Sequence, residues 1–275
     1  MRIHTVLLAF IIFLLLTSSA QPGTRDPNIA DQHYVEYGKK FKSVVRFRAL
    51  GKEKERHYAS AVIIKPHWVL TAAHVVIDTT APAVLMNDDK DAYPIAYMLP
   101  HAGFDATANG NHHDIALGYS EKDFGLEFYT PLYTNKDEAD RLVTLAGCGL
   151  HGTFNTGHTF SDTQRRAGSN YIEGVRDSVL ICTPSKGRSD RLTSMEFFIS
   201  PGDSGGGLFI GNELAGIHSF IMASKHSPSS KYDEESGHTR VSLYADWVES
   251  QIEQYERAQR ARATEGQTPI LDAVQ

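Results

Sequence analysis

Gly202-Asp203-Ser204-Gly205-Gly206 follows the apolar pair Phe198-Ile199 and precedes the strand-length apolar run Gly207–Ile210. Alone, such a run reads equally well as a flexible turn. Its chemical reading depends on two other segments. A serine hydroxyl is a weak nucleophile at its own pKa and needs an adjacent base. An imidazole suits the task because it titrates near neutrality, and it needs an acceptor on its second nitrogen to fix tautomer and orientation. Glycines beside the serine let backbone N–H groups approach a substrate and its developing oxyanion.

Thr71-Ala72-Ala73-His74 follows the apolar run Trp68–Leu70, and Asp114-Ile115-Ala116-Leu117 opens another run of strand length. Each segment is weak evidence alone. A single histidine at a strand end is usually structural, and an aspartate there is often a turn acceptor. Together they place His74, then Asp114, then Ser204 along the chain. Gly202–Gly206 also fits the nucleophile elbow of the α/β-hydrolases. In that fold the serine precedes its acid and its histidine, whereas here it comes last.

Outward from these segments the texture is all-β. Ser43–Phe47, Ala59–Ile64, Trp68–Thr71, Val84–Met86, Ile115–Tyr119, Leu142–Ala146, Ser178–Ile181, Gly207–Ile210 and Leu214–Phe220 are short apolar runs separated by turn residues. Many short strands with such punctuation indicate a sandwich or barrel. One helical stripe closes the domain, through Leu243, Tyr244, Trp247, Val248, Ile252 and Tyr255, with Ser242 as its candidate cap. Residues 21–33 read as an extended or mobile arm.

These motifs resemble those of the chymotrypsin-like (trypsin-type) serine proteases, from about Phe41 to about Ile252. The strand Ala215–Phe220 and the helix opening Tyr244–Val248 share in the resemblance. Few cysteines and polar loops are similar to the bacterial secreted members. The resemblance implies two packed six-stranded antiparallel β-barrels and a C-terminal α-helix, with His74 and Asp114 from the first barrel and Ser204 from the second. It implies an oxyanion hole from the Gly202 and Ser204 N–H groups. It further implies that Ser219 supports Asp114, and that Ser219, Phe220 and Ile221 pair with substrate as an added strand. The domain scheme it suggests is a leader over 1–20, an arm and candidate propeptide over 21–40, and a protease domain over 41–263. Within that domain the barrels cover about 41–140 and 141–242 and the helix 243–263, and a disordered tail follows over 264–275.

The departures from the family are specific. Val75 and Tyr58 stand where a disulfide usually lies beside the histidine, Ser200 replaces another cysteine, and Gly147-Cys148-Gly149 replaces Gly-Trp-Gly. The family's cleaved, inward-folding terminus pairs with the aspartate before the nucleophile. Asp203 is present, and spacing puts Ile29 where the new terminus belongs, yet Ile29-Ala30-Asp31 matches the family poorly. A buried unpaired Asp203 is costly. A terminus at Ile29, one elsewhere in 21–29, or an internal side chain is therefore required to balance it.

Composition bounds the rest. The 275 residues carry a net charge of −6 and no long basic patch, which argues against a nucleic-acid partner. Arg2 and His4, the apolar run Val6–Leu16, and Ser18 and Ala20 form a signal peptide, with cleavage expected after Ala20 and secretion implied. The run is shorter than the roughly 20 residues of a spanning helix, and no membrane span is expected in the mature chain. Cys148 and Cys182 are either one disulfide or two buried thiols. His101, His112, His113, His151 and His158 lack the spacing of a ligand set, so no metal and no cofactor is expected.

The expected activity is that of a secreted serine endopeptidase acting on proteins or peptides through an acyl-enzyme, with an activating protease as a candidate partner. A silent homologue that only binds a protein is the alternative. In the pocket for the side chain before the cut bond, Phe198 falls where trypsin-type enzymes place an aspartate, Ile199 follows it, and Ile221 replaces an entrance glycine. No carboxylate remains for Lys or Arg, and an apolar preference is expected. His218 argues for an acidic preference instead, because glutamate-specific members place a histidine there.

Overall fold

The computed structural model describes residues 23–86, 91–107, 110–185, 191–223 and 228–264. The leader over 1–20 and nearly all of the tail over 264–275 lie outside the described residues. Two seven-stranded sheets dominate. The first orders its strands as β6 (Asp91–Pro94), β5 (Thr80–Met86), β2 (Val44–Leu50), β3 (Arg56–Lys65), β4 (Trp68–Thr71), β10 (Ala116–Tyr119) and β7 (Tyr97–Pro100). The second runs β14 (Arg166–Tyr171), β11 (Leu142–Gly147), β18 (Gly207–Ile210), β19 (Glu213–Ala223), β20 (Glu234–Arg240), β16 (Val179–Cys182) and β15 (Gly174–Arg176). These are the two curled sheets of the expected double barrel, each with seven strands in place of six. A hairpin of β8 (Asp105–Thr107) and β9 (Gly110–His112) leads into Asp114.

The apolar runs are continuous because both faces of the central strands are buried. On β2 and β3, Val45, Phe47, Ala49, Ala59, Ala61 and Ile63 enter the core of the first barrel. Their neighbours Val44, Val62 and Ile64 face the other way, into a seam shared with Ala146, Phe209, Leu214 and Ile217 of the second barrel. Side chains alternate along a strand, so one strand serves both cores. Val143, Leu145, Leu180, Leu208 and Ala215 fill the interior of the second barrel.

The terminal helix α3 is the third helix, after α1 (Asp31–Gly38) and α2 (Ala73–Val76). It spans Ala245–Thr264, preceded by a 3₁₀ turn over Val241–Leu243. Ser242 is not its cap, since its hydroxyl donates to Glu138 Oε1 at 2.6 Å. Leaving the second barrel, α3 crosses onto the first. Tyr255 meets Trp68 edge to face at 5.2 Å and stacks on Tyr97 at 4.8 Å, and Trp68 Nε1 donates to Glu256 at 3.1 Å. Among the described residues no helix is long and apolar enough to cross a membrane.

From Gly23 the arm is extended, one of its two expected readings, and turns helical at Asp31. β1 (Gly23–Arg25) lies between β12 (His151–Thr153), which it pairs in parallel, and β17 (Phe197–Phe198), which it pairs antiparallel. β13 (Gly157–Phe160) completes that four-stranded sheet. The register sets Gly23 beside His151 and Thr24 beside Phe198, and Thr24 is fully buried. Such pairing rests on partners far along the chain, so the polar composition of 21–33 concealed it.

Candidate active site

β4 ends at Thr71, and Ala72 is extended before the single turn of α2. This corner turns the His74 ring toward the second barrel. Asp114 follows His113, which holds a positive φ of 49°, and is fully buried at the entry to β10. His74 binds it twice. The backbone N–H donates to Asp114 Oδ1 at 2.8 Å, and Nδ1–H donates to Oδ2 at 2.7 Å. Ser219 Oγ also donates to Oδ2, and Thr239 Oγ1 donates to the Asp114 carbonyl at 2.8 Å. Burial opposes the charge on Asp114. The His74 hydrogen bond and charge, with the Ser219 bond, outweigh it and hold the carboxyl below the usual range.

A β-bulge aims Ser219. The β19–β20 register shifts between His218 and Phe220, and Ser219 lies at that irregularity. Asn111 on β9 adds a further bond, its amide donating to Asp114 Oδ2 at 3.0 Å and to Ser219 Oγ at 3.3 Å. Asn111 and Thr239 carried no sequence signal, because each acts through a partner brought near only by the fold.

Ser204 lies in an open cleft of about 360 Å³ that His74 and Gly202 also line. Its loop is shaped by Gly202 at φ +93° and Gly205 at φ +82°. A Cβ on Gly202 would lie 2.8 Å from the Gly149 Cα, so only glycine fits there. Among the described residues, neither the Gly202 nor the Ser204 N–H donates within the chain. The loop is tied to the first barrel through Ser60. The Ser60 N–H donates to the Ser204 carbonyl at 2.8 Å. Its hydroxyl donates to the Gly202 carbonyl at 2.9 Å and accepts the Cys148 N–H at 2.9 Å.

Asp203 points the opposite way, into the second barrel, and is fully buried. Its carboxylate accepts from Gly149 N at 2.7 Å, Ser200 N at 2.8 Å and Ser200 Oγ at 3.2 Å. Burial raises its pKa to about 6 against these bonds and the nearby Arg166 charge. Ile29 is not brought to it. The Ile29 N–H donates to the Asp26 carbonyl at 3.2 Å, within the turn before α1. Gly23 of β1 reaches the vicinity instead, donating to the Leu150 carbonyl beside Gly149.

Phe198 and Ile199 are buried, and Phe220 and Ile221 are partly exposed on β19. His218 is fully buried, its Nδ1 2.9 Å from His238 Nδ1, and His238 Nε2 is 3.0 Å from Ser236 Oγ. Burial holds both rings neutral: His218 titrates far below its usual range and His238 near 3. Cys148 and Cys182 are unbridged buried thiols, and burial raises the Cys148 pKa to about 11. Three of the loop histidines meet protein partners. His101 stacks on His113 at 4.9 Å, His113 Nδ1 is 2.9 Å from the Tyr244 hydroxyl, and His158 Nδ1 is 3.1 Å from Ser230 Oγ.

The comparisons agree with this architecture. The structure of HL collagenase matches with a TM-score of 0.61 at 18% identity, over 77% of this chain and 94% of that one. Neuropsin, a serine protease expressed in the limbic system of mouse brain, matches with a TM-score of 0.61 at 16% identity, over 78% and 96%. At these identities the likeness is one of fold. No curated protein sequence matches the chain. The trypsin family profile matches residues 37–248, and the chain belongs to the trypsin family of serine proteases.

Proposed function

We propose that the protein is a secreted serine endopeptidase with Ser204 as nucleophile, His74 as general base and Asp114 as the group that orients the base. The observation that carries this reading is the doubly bonded His74–Asp114 pair, with His74 and Ser204 lining one cleft. Ser204 Oγ attacks the scissile carbonyl carbon, and its proton passes to His74 Nε2. The resulting oxyanion is stabilised by the Gly202 and Ser204 N–H groups. Collapse breaks the C–N bond, His74 protonates the leaving amine, and an ester to Ser204 remains. Water then attacks that ester by the same steps, and the acid product and free enzyme are released.

The leader over 1–20 supports export. An apolar residue before the cut bond suits walls made by Phe198, Ile199 and Ile221, where a Lys or Arg side chain would be desolvated without a counter-charge. His218 is held neutral and faces His238, which makes it a poor receptor for a carboxylate at neutral pH. Processing at Ile29 is one route to a cation for Asp203, and it requires β1 to leave its sheet. A serine-directed phosphonate that labels the wild type but not Ser204→Ala, together with casein cleavage by the wild type alone, tests the reading. An unlabelled, inactive wild type would leave the binding-module alternative.

A further inference from the structure

Asp203 is a buried carboxylate with three hydrogen-bond donors, and among the described residues none of them is an ammonium. The sheet register supplies another cation. Gly147 on β11 pairs directly with Arg166 on β14. Residues opposed across an antiparallel pair send their side chains to the same face. On that face the space a Gly147 side chain would fill is occupied by the Asp203 carboxylate. Arg166 therefore leaves the sheet alongside Asp203.

Arg166 is fully buried and completely held. Asp31, the first residue of α1, grips it with Nε–Oδ1 at 2.8 Å and Nη2–Oδ2 at 2.9 Å. Asp162 adds contacts at 3.2 and 3.1 Å. Arg25 at the end of β1 reaches the same Asp31 oxygen at 3.2 Å and the Ile29 carbonyl at 2.5 Å. The cluster thus joins β1, α1 and β14 behind the loop that carries Gly202 and Ser204. A planar guanidinium gripped by a carboxylate has one orientation, which a flexible ammonium would not have.

We propose that Arg166, fixed by Asp31, is a positioning residue for the oxyanion loop, standing where a newly cut terminus would otherwise be needed to keep Asp203 ionised and bonded to Gly149 and Ser200. This rests on the serine-peptidase reading. The arm then works uncut, with β1 closing the site. Around Asp203 the charged and titratable groups are Cys148, just past β11, and Arg166 on β14. Through Arg166 they extend to Asp31 on α1, Asp162 before β14 and Arg25 on β1, with His151 on β12 held neutral by burial and by both arginines.

The test uses the full secreted chain, its Ser204→Ala control and the paired variant Arg166→Met/Asp31→Asn, which removes cation and partner together. Removing the cation raises the pH at which Asp203 ionises. The expected result is a fall in kcat of about tenfold or more near pH 6–7 with KM within about twofold, an acid limb shifted to higher pH, and recovery toward wild type near pH 9. Wild-type kcat and acid limb in the folded pair would overturn the proposal, as would an equal loss at every pH. Should the pair fail to fold, Arg166→Lys decides. The ammonium keeps the charge but not the fork, so an acid limb moved to higher pH supports the proposal and an unmoved one overturns it. Amino-terminal sequencing of active wild type should give a terminus at or before Gly23, whereas full activity from a chain beginning at Ile29 would refute the proposal. An inert wild type refutes the peptidase reading and this proposal with it, and an active wild type with an unchanged pair refutes this proposal alone.

Discussion

Asn111 and Ser219 meet over the same oxygen of Asp114: the Asn111 amide lies 3.0 Å from Asp114 Oδ2 and 3.3 Å from Ser219 Oγ, which itself donates to Oδ2. The carboxylate bonded to His74 is therefore held from both barrels. A hydrogen bond to a charged group contributes about 1.5–3 kcal/mol, and the partly exposed Asn111 should fall at the low end. Asn111→Ala is expected to lower kcat/KM about tenfold with little change in thermal stability. Steady-state kinetics and a melting curve check it, and an unchanged kcat/KM would show that Ser219 suffices.

His74, Asp114 and Ser204 should behave as one unit. Ser204→Ala, His74→Ala and Asp114→Asn are each expected to lower kcat by about 10⁴-fold or more with the fold intact, and pairs should cost little beyond the worst single change. Circular dichroism and turnover on one peptide substrate measure both. Full activity in His74→Ala would remove the proposed base.

Much of this was legible in the sequence. The family resemblance carried by the three segments implied the double barrel, because each segment is local and its residues can be read without the fold. Strands such as Asp91–Pro94 and Gly174–Arg176 escaped notice because they are short and mostly exposed or half-exposed, so neither has a strong apolar alternation. Arg166 and β1 were invisible for a different reason. A buried arginine looks like any other until its register partner, a glycine filled by Asp203, is known. Ser242 resembled a helix cap only because Glu138, its real partner, lies on a distant segment.

Glu138 offers a test in stability. Its carboxylate is buried and takes Arg240 Nε at 2.9 Å, Arg240 Nη2 at 2.6 Å and the Ser242 hydroxyl. Burial opposes its charge, but the Arg240 and Ser242 bonds prevail and depress its pKa. The stabilisation is therefore present above the ordinary carboxylate range and is lost as pH falls through the depressed value. Glu138→Gln should cost about 3 kcal/mol at pH 7, because Arg240 is left without its counter-charge. Urea unfolding should show that gap narrowing below about pH 4. A gap independent of pH would contradict the assignment.

Specificity is read from cleavage of a peptide library. Cuts are expected mainly after aliphatic residues, with discrimination of about 1–3 kcal/mol per methylene between neighbours in size. Dominant cutting after Lys or Arg would refute the pocket walls named here. Dominant cutting after Glu would make the His218–His238 pair the receptor.

Strand β1 is made first and can be seated only late. Its partners His151–Thr153 and Phe197–Phe198 lie far downstream, so the segment leaves the ribosome long before a groove exists to receive it. Closing so long a loop is slow compared with forming local hairpins. The chain should thus collapse into two barrels with an immature cleft, and competence should appear as a separate, slower kinetic phase when the arm finally threads between its neighbours. A chain arranged in this way carries its own delay, a clock set by topology, between collapse of the barrels and completion of the cleft.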